Sequence, residues 1–314
     1  MTALYSTDVK WVDRSPGHSG PHSVSSLLCG GADANGRATV TVGTASSTTL
    51  AATYYQLDTD PSNEFPWVAS PLPENAQRIL QVVPGRLPGN LKVGYYALYT
   101  MSGGTLGCVF QKNDHSMKMP IQVSGLGQIR DIHSTITPYY GYTDLFAATE
   151  RGIAYFSHFR PDKQPQILLP DVSFRQVVAA EYGTQIIVFA VSDQRELYYL
   201  EGTRKDSIVF NYSGFPIRTG VEMLSAAYNV TAGATELMYV QSKSHAIRHL
   251  WRDPVSFSWQ EAAITVISPK EEASESQKRS KTHRFPAYIT AITIVNDTTG
   301  DSLGPGYELV CSFF

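Results

Sequence analysis

Cysteine, net charge and long apolar runs are all scarce in this 314-residue chain, and each scarcity removes a class of function. Cys29, Cys108 and Cys311 are too few and too scattered for a disulfide framework, and none belongs to a CxxC pair that would suggest zinc or redox chemistry. They read as small buried residues. A formal net charge of -3 gives no sequence-wide reason to expect nucleic acid or an anionic membrane as a partner. No segment approaches 18 consecutive apolar residues, and the opening MTALYSTDVKWVDRSP has no basic region followed by an apolar one. The expectation is a soluble chain with no membrane insertion and no export signal. Sequons beginning at Asn211, Asn229 and Asn296 permit secretion without establishing it, so the compartment stays open.

Complete catalytic motifs are missing as well. There is no S-x-D-x-G-x-T-W box, no HExxH and no P-loop, and GLGQIR from Gly125 lacks the third glycine of a dinucleotide fingerprint. His18 and His22 in GHSGPHS have no accompanying cysteine or carboxylate signature, so no metal and no cofactor are expected. Asp144, Glu150, Glu181, Asp193 and Glu196 could in principle supply a hydrolytic carboxylate pair. Scarcity of buried acids favours exposed turns for most of them. The chain is read as a non-enzyme.

Aromatic and turn-forming residues are abundant. Eighteen Tyr, thirteen Phe and many Val, Ile and Thr favour pleated, half-buried surfaces, while 24 Gly and 18 Pro interrupt any helical run. The class is all-β. One plan recurs: an apolar strand, a polar turn and a second apolar-aromatic strand. It is seen in ELMYVQSKSHAIRHLW (Glu236 to Trp251), DLFAATERGIAYFSHF from Asp144, QIIVFAVSDQRELYYLEG from Gln185, YYALYTMSGGTLGCVFQ from Tyr95 and ATVTVGTASSTTLAATYYQ from Ala38. Each copy reads as an antiparallel hairpin. An apolar segment precedes each hairpin and a short one, often ending near proline, follows it. The preceding segments that start at Arg78, Arg130, Arg175 and Glu222 recur at intervals of about 45 to 52 residues. Four strands per unit at that period is the pattern of a β-propeller blade.

The expected architecture is one domain over residues 1–314, a six-bladed β-propeller of four-stranded antiparallel blades. Its units cover about 24–73, 78–124, 129–170, 174–218, 221–268 and 288–314, the last completed by N-terminal strands over 2–16. TALYSTD and VKWVDRSP would supply the third and fourth strands of that blade. Such closure reduces exposed sheet edges. The same terminal residues also fit the first hairpin of a separate immunoglobulin-like domain, which leaves a five-unit ring. Residues 269–284, PKEEASESQKRSKTHR, read as a flexible charged insertion.

The candidate ligand-binding residues are Tyr198, Tyr199, Tyr239, Arg248, Trp251, Arg252 and Trp259. Their aromatic faces suit both core packing and the C–H faces of sugars, and an arginine can fork hydrogen bonds to hydroxyls or a carboxylate. If His245, Arg248 and His249 share a strand, the two histidines lie on one face and Arg248 on the other with Ala246 and Leu250.

The segment LMYVQSKSHAIRHLWRDPVSFSW resembles a blade of the fungal six-bladed fucose-binding lectins. Those blades pair an R-[IV]-Y-x-Q strand with an I-R-E strand and nearby tryptophans. The resemblance covers one unit well and the others in outline. It implies sugars held between neighbouring blades by an arginine, a glutamate and an aromatic ring. Here the family's arginine position falls near Leu237 and its glutamate near His249, while Arg248 matches only the arginine of I-R-E. The expected partners are therefore glycans or glycoproteins, with other protein domains as the alternative. That alternative makes the chain a structural or interaction propeller of a larger secreted or toxin-like protein; a glycan-cleaving hydrolase ranks third.

Overall fold

A computed structural model describes residues 8–10, 23–32, 38–45, 50–56, 70–71, 76–86, 93–101, 105–112, 115–119, 125–137, 142–157, 163–182, 184–204, 208–229, 234–253, 256, 258–263, 265–267, 289–297 and 306–313, with side chains chiefly between 125 and 263. All regular structure among them is β. After a short strand β1 (Asp8–Lys10), the first sheet holds β2 (Ser23–Ala32), β3 (Ala38–Ala45), β4 (Leu50–Gln56) and β5 (Ser70–Pro71). The second holds β6 (Ala76–Arg86), β7 (Val93–Met101), β8 (Leu106–Lys112) and β9 (His115–Met119). The third is β10 (Ile129–Thr137), β11 (Tyr142–Thr149), β12 (Gly152–Phe156) and β13 (Gln166–Leu168).

In the fourth, β14 (Phe174–Tyr182), β15 (Gln185–Ser192), β16 (Glu196–Arg204) and β17 (Ile208–Tyr212) pair in order, and β18 (Arg218–Thr219) adds to the other end of β16. The fifth is β19 (Val221–Asn229), β20 (Ala234–Gln241), β21 (Ile247–Arg252) and β22 (Trp259–Ala263). Then come β23 (Thr265–Ile267) and a hairpin, β24 (Ile289–Asp297) with β25 (Gly306–Phe313). Each of these five sheets and the β24–β25 hairpin is antiparallel and follows chain order, so the connections within them are local. The five expected hairpins are β3–β4, β7–β8, β11–β12, β15–β16 and β20–β21.

The sheets stack face to face through their first strands, which is the arrangement of blades in a β-propeller. The strand β10 lies against β6 and β14, β19 lies against β14 and β24, and β2 lies against β24 and β6. Stacking explains why strands such as GIAYF are buried at every residue, since both faces of a middle sheet meet a neighbour. The cores therefore sit between sheets. One unites Phe146, Ile153 and Tyr155 of the third sheet with Phe174, Val188 and Leu200 of the fourth. The next unites Phe189, Val191 and Leu197 of the fourth with Leu224, Leu237 and Leu250 of the fifth.

First strands carry one ladder edge with no strand partner, and side chains satisfy it. Asp131 Oδ2 accepts from the Val177 amide at 3.0 Å, and His133 Nδ1 from the Ala179 amide at 3.1 Å. One repeat later Gln176 both donates to the Leu224 carbonyl and accepts from its amide, at 3.0 and 3.1 Å. These bonds stitch β10 to β14 and β14 to β19. Burial lowers the His133 pKa to about 4, which keeps the imidazole neutral and able to accept. A register shift recurs at the start of these strands, between Ile129 and Asp131, Phe174 and Gln176, and Val221 and Met223. The bulge leaves Arg130, Arg175 and Glu222 without ladder partners at one end of the stack. There Arg130 pairs with Asp193 of the next sheet's turn, and Arg175 reaches Glu222 at 3.1 Å.

Three expectations change. The N-terminal residues Asp8–Lys10 pair in parallel with β23, Asp8 opposite Thr265, and not with the β24–β25 hairpin. The remainder of TALYSTD and VKWVDRSP, together with His18, His22 and the 269–284 insertion, lies outside the described residues. His245 does not share a strand face with His249. The strand β21 begins at Ile247, and His245 closes the preceding turn with φ of 53° and its backbone amide donating a hydrogen bond to the Gln241 carbonyl at 2.8 Å. Asp144 and Glu181 are not turn carboxylates: their side chains are 0% and 6% exposed. Arg204 makes that burial possible by bonding both, Asp144 directly and Glu181 at 2.9 Å. Glu150 and Asp193 do lie in exposed turns.

Candidate functional site

One end of the seam between the fourth and fifth sheets gathers three of the candidate residues, Tyr199, Arg252 and Trp259. Alternation along β16 aims Tyr199 and Glu201 at the fifth sheet, and alternation along β21 aims Arg248, Leu250 and Arg252 back. At one end of this seam Arg252 Nη1 donates to the Tyr199 hydroxyl and to Glu201 Oε2, both at 3.0 Å. The Tyr199 hydroxyl donates to the same carboxylate at 2.9 Å. The guanidinium carbon lies 5.7 Å from the centre of the Tyr199 ring, within reach of cation–π attraction. Trp259 stands edge-on to Tyr199 at 5.0 Å and to Phe189 at 5.6 Å. Arg252 and Glu201 each keep 33% of their side chain exposed, so the polar part of the cluster faces solvent.

This geometry sets two nearly perpendicular aromatic rings beside a fork of donors and an acceptor. Burial, then the bond to Glu201, pushes the Tyr199 phenol well above its ordinary pKa, against the opposing charge of Arg252. It stays a donor. Arg252 and Glu201 neutralise each other, which suits the site to hydroxyls.

A matching ring cluster in the preceding seam shows what is structural here. Phe146 opposes Tyr155 in the third sheet as Phe189 opposes Tyr199 in the fourth. Phe210 supplies the third ring, 5.9 and 5.1 Å from the other two. In that seam the position of Arg252 is held by Gly202, where a Cβ would meet the Phe210 ring at 2.7 Å. The ring fills the gap and is 8% exposed. Three packed rings are thus blade architecture; the exposed Arg252 and Glu201 are what the fourth–fifth seam adds.

The other candidates fall elsewhere. Tyr239 is 3% exposed, and its hydroxyl donates to Glu261 Oε1 at 2.9 Å. Burial first and Glu261 second push its pKa up to about 12. Arg248 joins that group at the other end of the same seam, with Nε 3.9 Å from Glu261 Oε1. Tyr198 points to the opposite face of β16, packs edge-on against Phe174 at 5.4 Å and donates to Glu196 at 3.2 Å. Trp251 also leaves the seam, lying 4.8 Å from His249 on the far face of β21. Sequence reasoning missed Glu201, Glu261 and Arg218. Glu201 sits two residues after Tyr199 and Glu261 two after Trp259, so strand alternation could have found both. Arg218 lies in the two-residue strand β18, too short to write a period into the sequence.

Comparison with models of known protein families gives no match, and neither does comparison with curated proteins. Solved structures do match. AofleA from Arthrobotrys oligospora aligns over 97% of this chain and 89% of its own, with 10% sequence identity and a TM-score of 0.54. SapL1 lectin, solved in complex with alpha methyl fucoside, aligns over 92% of this chain and 96% of its own at 11% identity and a TM-score of 0.50. The lectin of Aleuria aurantia, described as a six-bladed β-propeller with a novel fucose recognition mode, aligns over 76% of this chain and 74% of its own at 11% identity and a TM-score of 0.47. In fold, this chain resembles the lectin-like β-propellers.

Proposed function

We propose that the chain is a non-catalytic carbohydrate-recognition module built on a six-bladed β-propeller, with a sugar site at the Tyr199, Glu201, Arg252 and Trp259 seam. The observation that carries the site is the convergence of an arginine, a carboxylate and aromatic rings from two blades where the preceding seam is filled by Phe210. Sugar hydroxyls exchange hydrogen bonds with the Arg252 and Glu201 pair, while a C–H face lies on the exposed part of the Trp259 ring. A structural neighbour solved with alpha methyl fucoside supports sugars as the ligand class. Six blades are supported by the contacts of β24 with both β19 and β2, which complete a cycle of first strands. Weak single sites gain strength on a multivalent glycan surface.

A glycan array followed by calorimetry at high ligand concentration tests this reading. Binding that disappears in Arg252→Ala, with thermal unfolding retained, is the expected result. No binding across broad glycan classes would sink it.

A second reading, a protein-docking propeller domain of a larger secreted or toxin-like protein, is favoured by the outer edge of the fourth sheet. There Val209, Tyr212 and Phe215 are 64%, 45% and 76% exposed. A glycan-cleaving site gains no support from Asp144 and Glu181, because the Arg204 guanidinium bonds both carboxylates.

A further inference from the structure

The fourth–fifth seam has a second polar end, and its charge does not cancel. Arg252 and Arg248 lie four residues apart on β21, which places the two ends about 13 Å apart. Leu250 and Leu197, both fully buried, fill the space between them. At the Arg248 end, Arg218 comes from β18 of the fourth sheet, and Tyr239 and Glu261 from β20 and β22 of the fifth. Glu261 is fully engaged: Oε1 accepts from Tyr239 and Oε2 accepts from Arg218 Nε at 3.0 Å. Arg248 is left with a 3.4 Å contact to Gln241 Oε1 and the 3.9 Å ion pair to Glu261. Its Nε is buried without a hydrogen bond. One carboxylate thus serves two guanidiniums, each about one-third exposed, and the group carries one excess positive charge.

We propose that this end binds the carboxylate of an acidic sugar, so that the seam prefers glycans carrying a uronic or similar acid over their neutral counterparts. This inference rests on the carbohydrate-binding reading. A guanidinium presents its N–H groups as a planar fork that matches a carboxylate, and the ion pair forms at a site about one-third exposed, where only partial desolvation is needed. The neutral Arg252 and Glu201 end meets hydroxyls; the cationic Arg218 and Arg248 end meets the acid.

Calorimetry with the full chain tests it, using a trisaccharide that ends in a uronic acid, the same trisaccharide ending in the neutral hexose, and acetate alone. The acidic trisaccharide is expected to bind about tenfold more tightly at low salt, a gain typical of one charge-assisted contact. Roughly 1 M salt shrinks the gain by screening. Arg248→Gln and Arg218→Gln should each bring the acid-to-neutral affinity ratio towards one. Equal affinities in the unmodified protein, or a preference that survives both substitutions, would overturn the inference. So would acetate competing at the concentrations at which the acidic sugar binds, since the site would then hold free anions. Binding of the neutral trisaccharide without acid preference refutes this inference alone; binding of neither sugar refutes the carbohydrate reading with it.

Discussion

Replacing Arg204 by methionine should be among the most damaging single changes in the molecule. The guanidinium, 13% exposed, bonds Asp144 and Glu181, whose side chains are 0% and 6% exposed. Methionine fills much of the volume but leaves two carboxylates facing each other out of water. Removing one partner from a buried ion pair costs about 3–5 kcal/mol, and here two carboxylates lose the same partner. With an unfolding entropy of about 2.1 cal/mol/K per residue, a loss of about 4 kcal/mol lowers Tm by about 6 °C for a cooperative 314-residue chain. Urea and thermal unfolding followed by tryptophan fluorescence would read both quantities. Arg130→Met is the matched control, since its partners Glu150 and Asp193 are 45% and 37% exposed and such pairs contribute about 0–1 kcal/mol. Adding Asp144→Asn and Glu181→Gln to the Arg204 variant should recover a large part of the loss by removing the stranded charges. If Arg204→Met costs no more than Arg130→Met, the reasoning about the buried triad is wrong.

Gly202→Ala should lose about 1–3 kcal/mol, because the new Cβ falls 2.7 Å from the Phe210 ring; an unchanged urea midpoint would show that the ring moves freely. His133 contributes a pH dependence of known sign. Its pKa is lowered from 6.5 to about 4, so the folded state binds fewer protons, and its contribution is complete above pH 6.5 and lost as pH falls towards 4. In His133→Asn, which keeps an acceptor for the Ala179 amide, the slope of stability over that window should flatten. Burial pushes the Cys108 thiol up to about 12, so a maleimide at pH 7 should label it only after unfolding; peptide mapping that finds it modified in the folded chain would contradict its placement.

The hairpins were legible in the sequence because a strand buried on one or both faces writes its period directly into residue order. QIIVFAVSDQRELYYL could be read as β15, turn and β16 without any tertiary knowledge. The repeat of such units made blades the economical reading. What local order could not carry was position across a seam. His245 was taken into a strand that starts two residues later, since the turn's left-handed residue needed no glycine to mark it. Tyr198 and Tyr199 looked equivalent in sequence, yet alternation sends one into the third–fourth core and the other to the Arg252 cluster. Asp144 and Glu181 read as surface acids because their neutralising arginine lies 60 and 23 residues away.

Sequence by itself determined the β class, the hairpins and the blade period, all of which arise from side chains a few residues apart. Tertiary structure alone decided which face each aromatic residue serves, which carboxylates are buried and where two arginines share one glutamate. Those outcomes depend on how one sheet stacks on the next, and stacking brings together residues whose separation along the chain leaves no periodic trace.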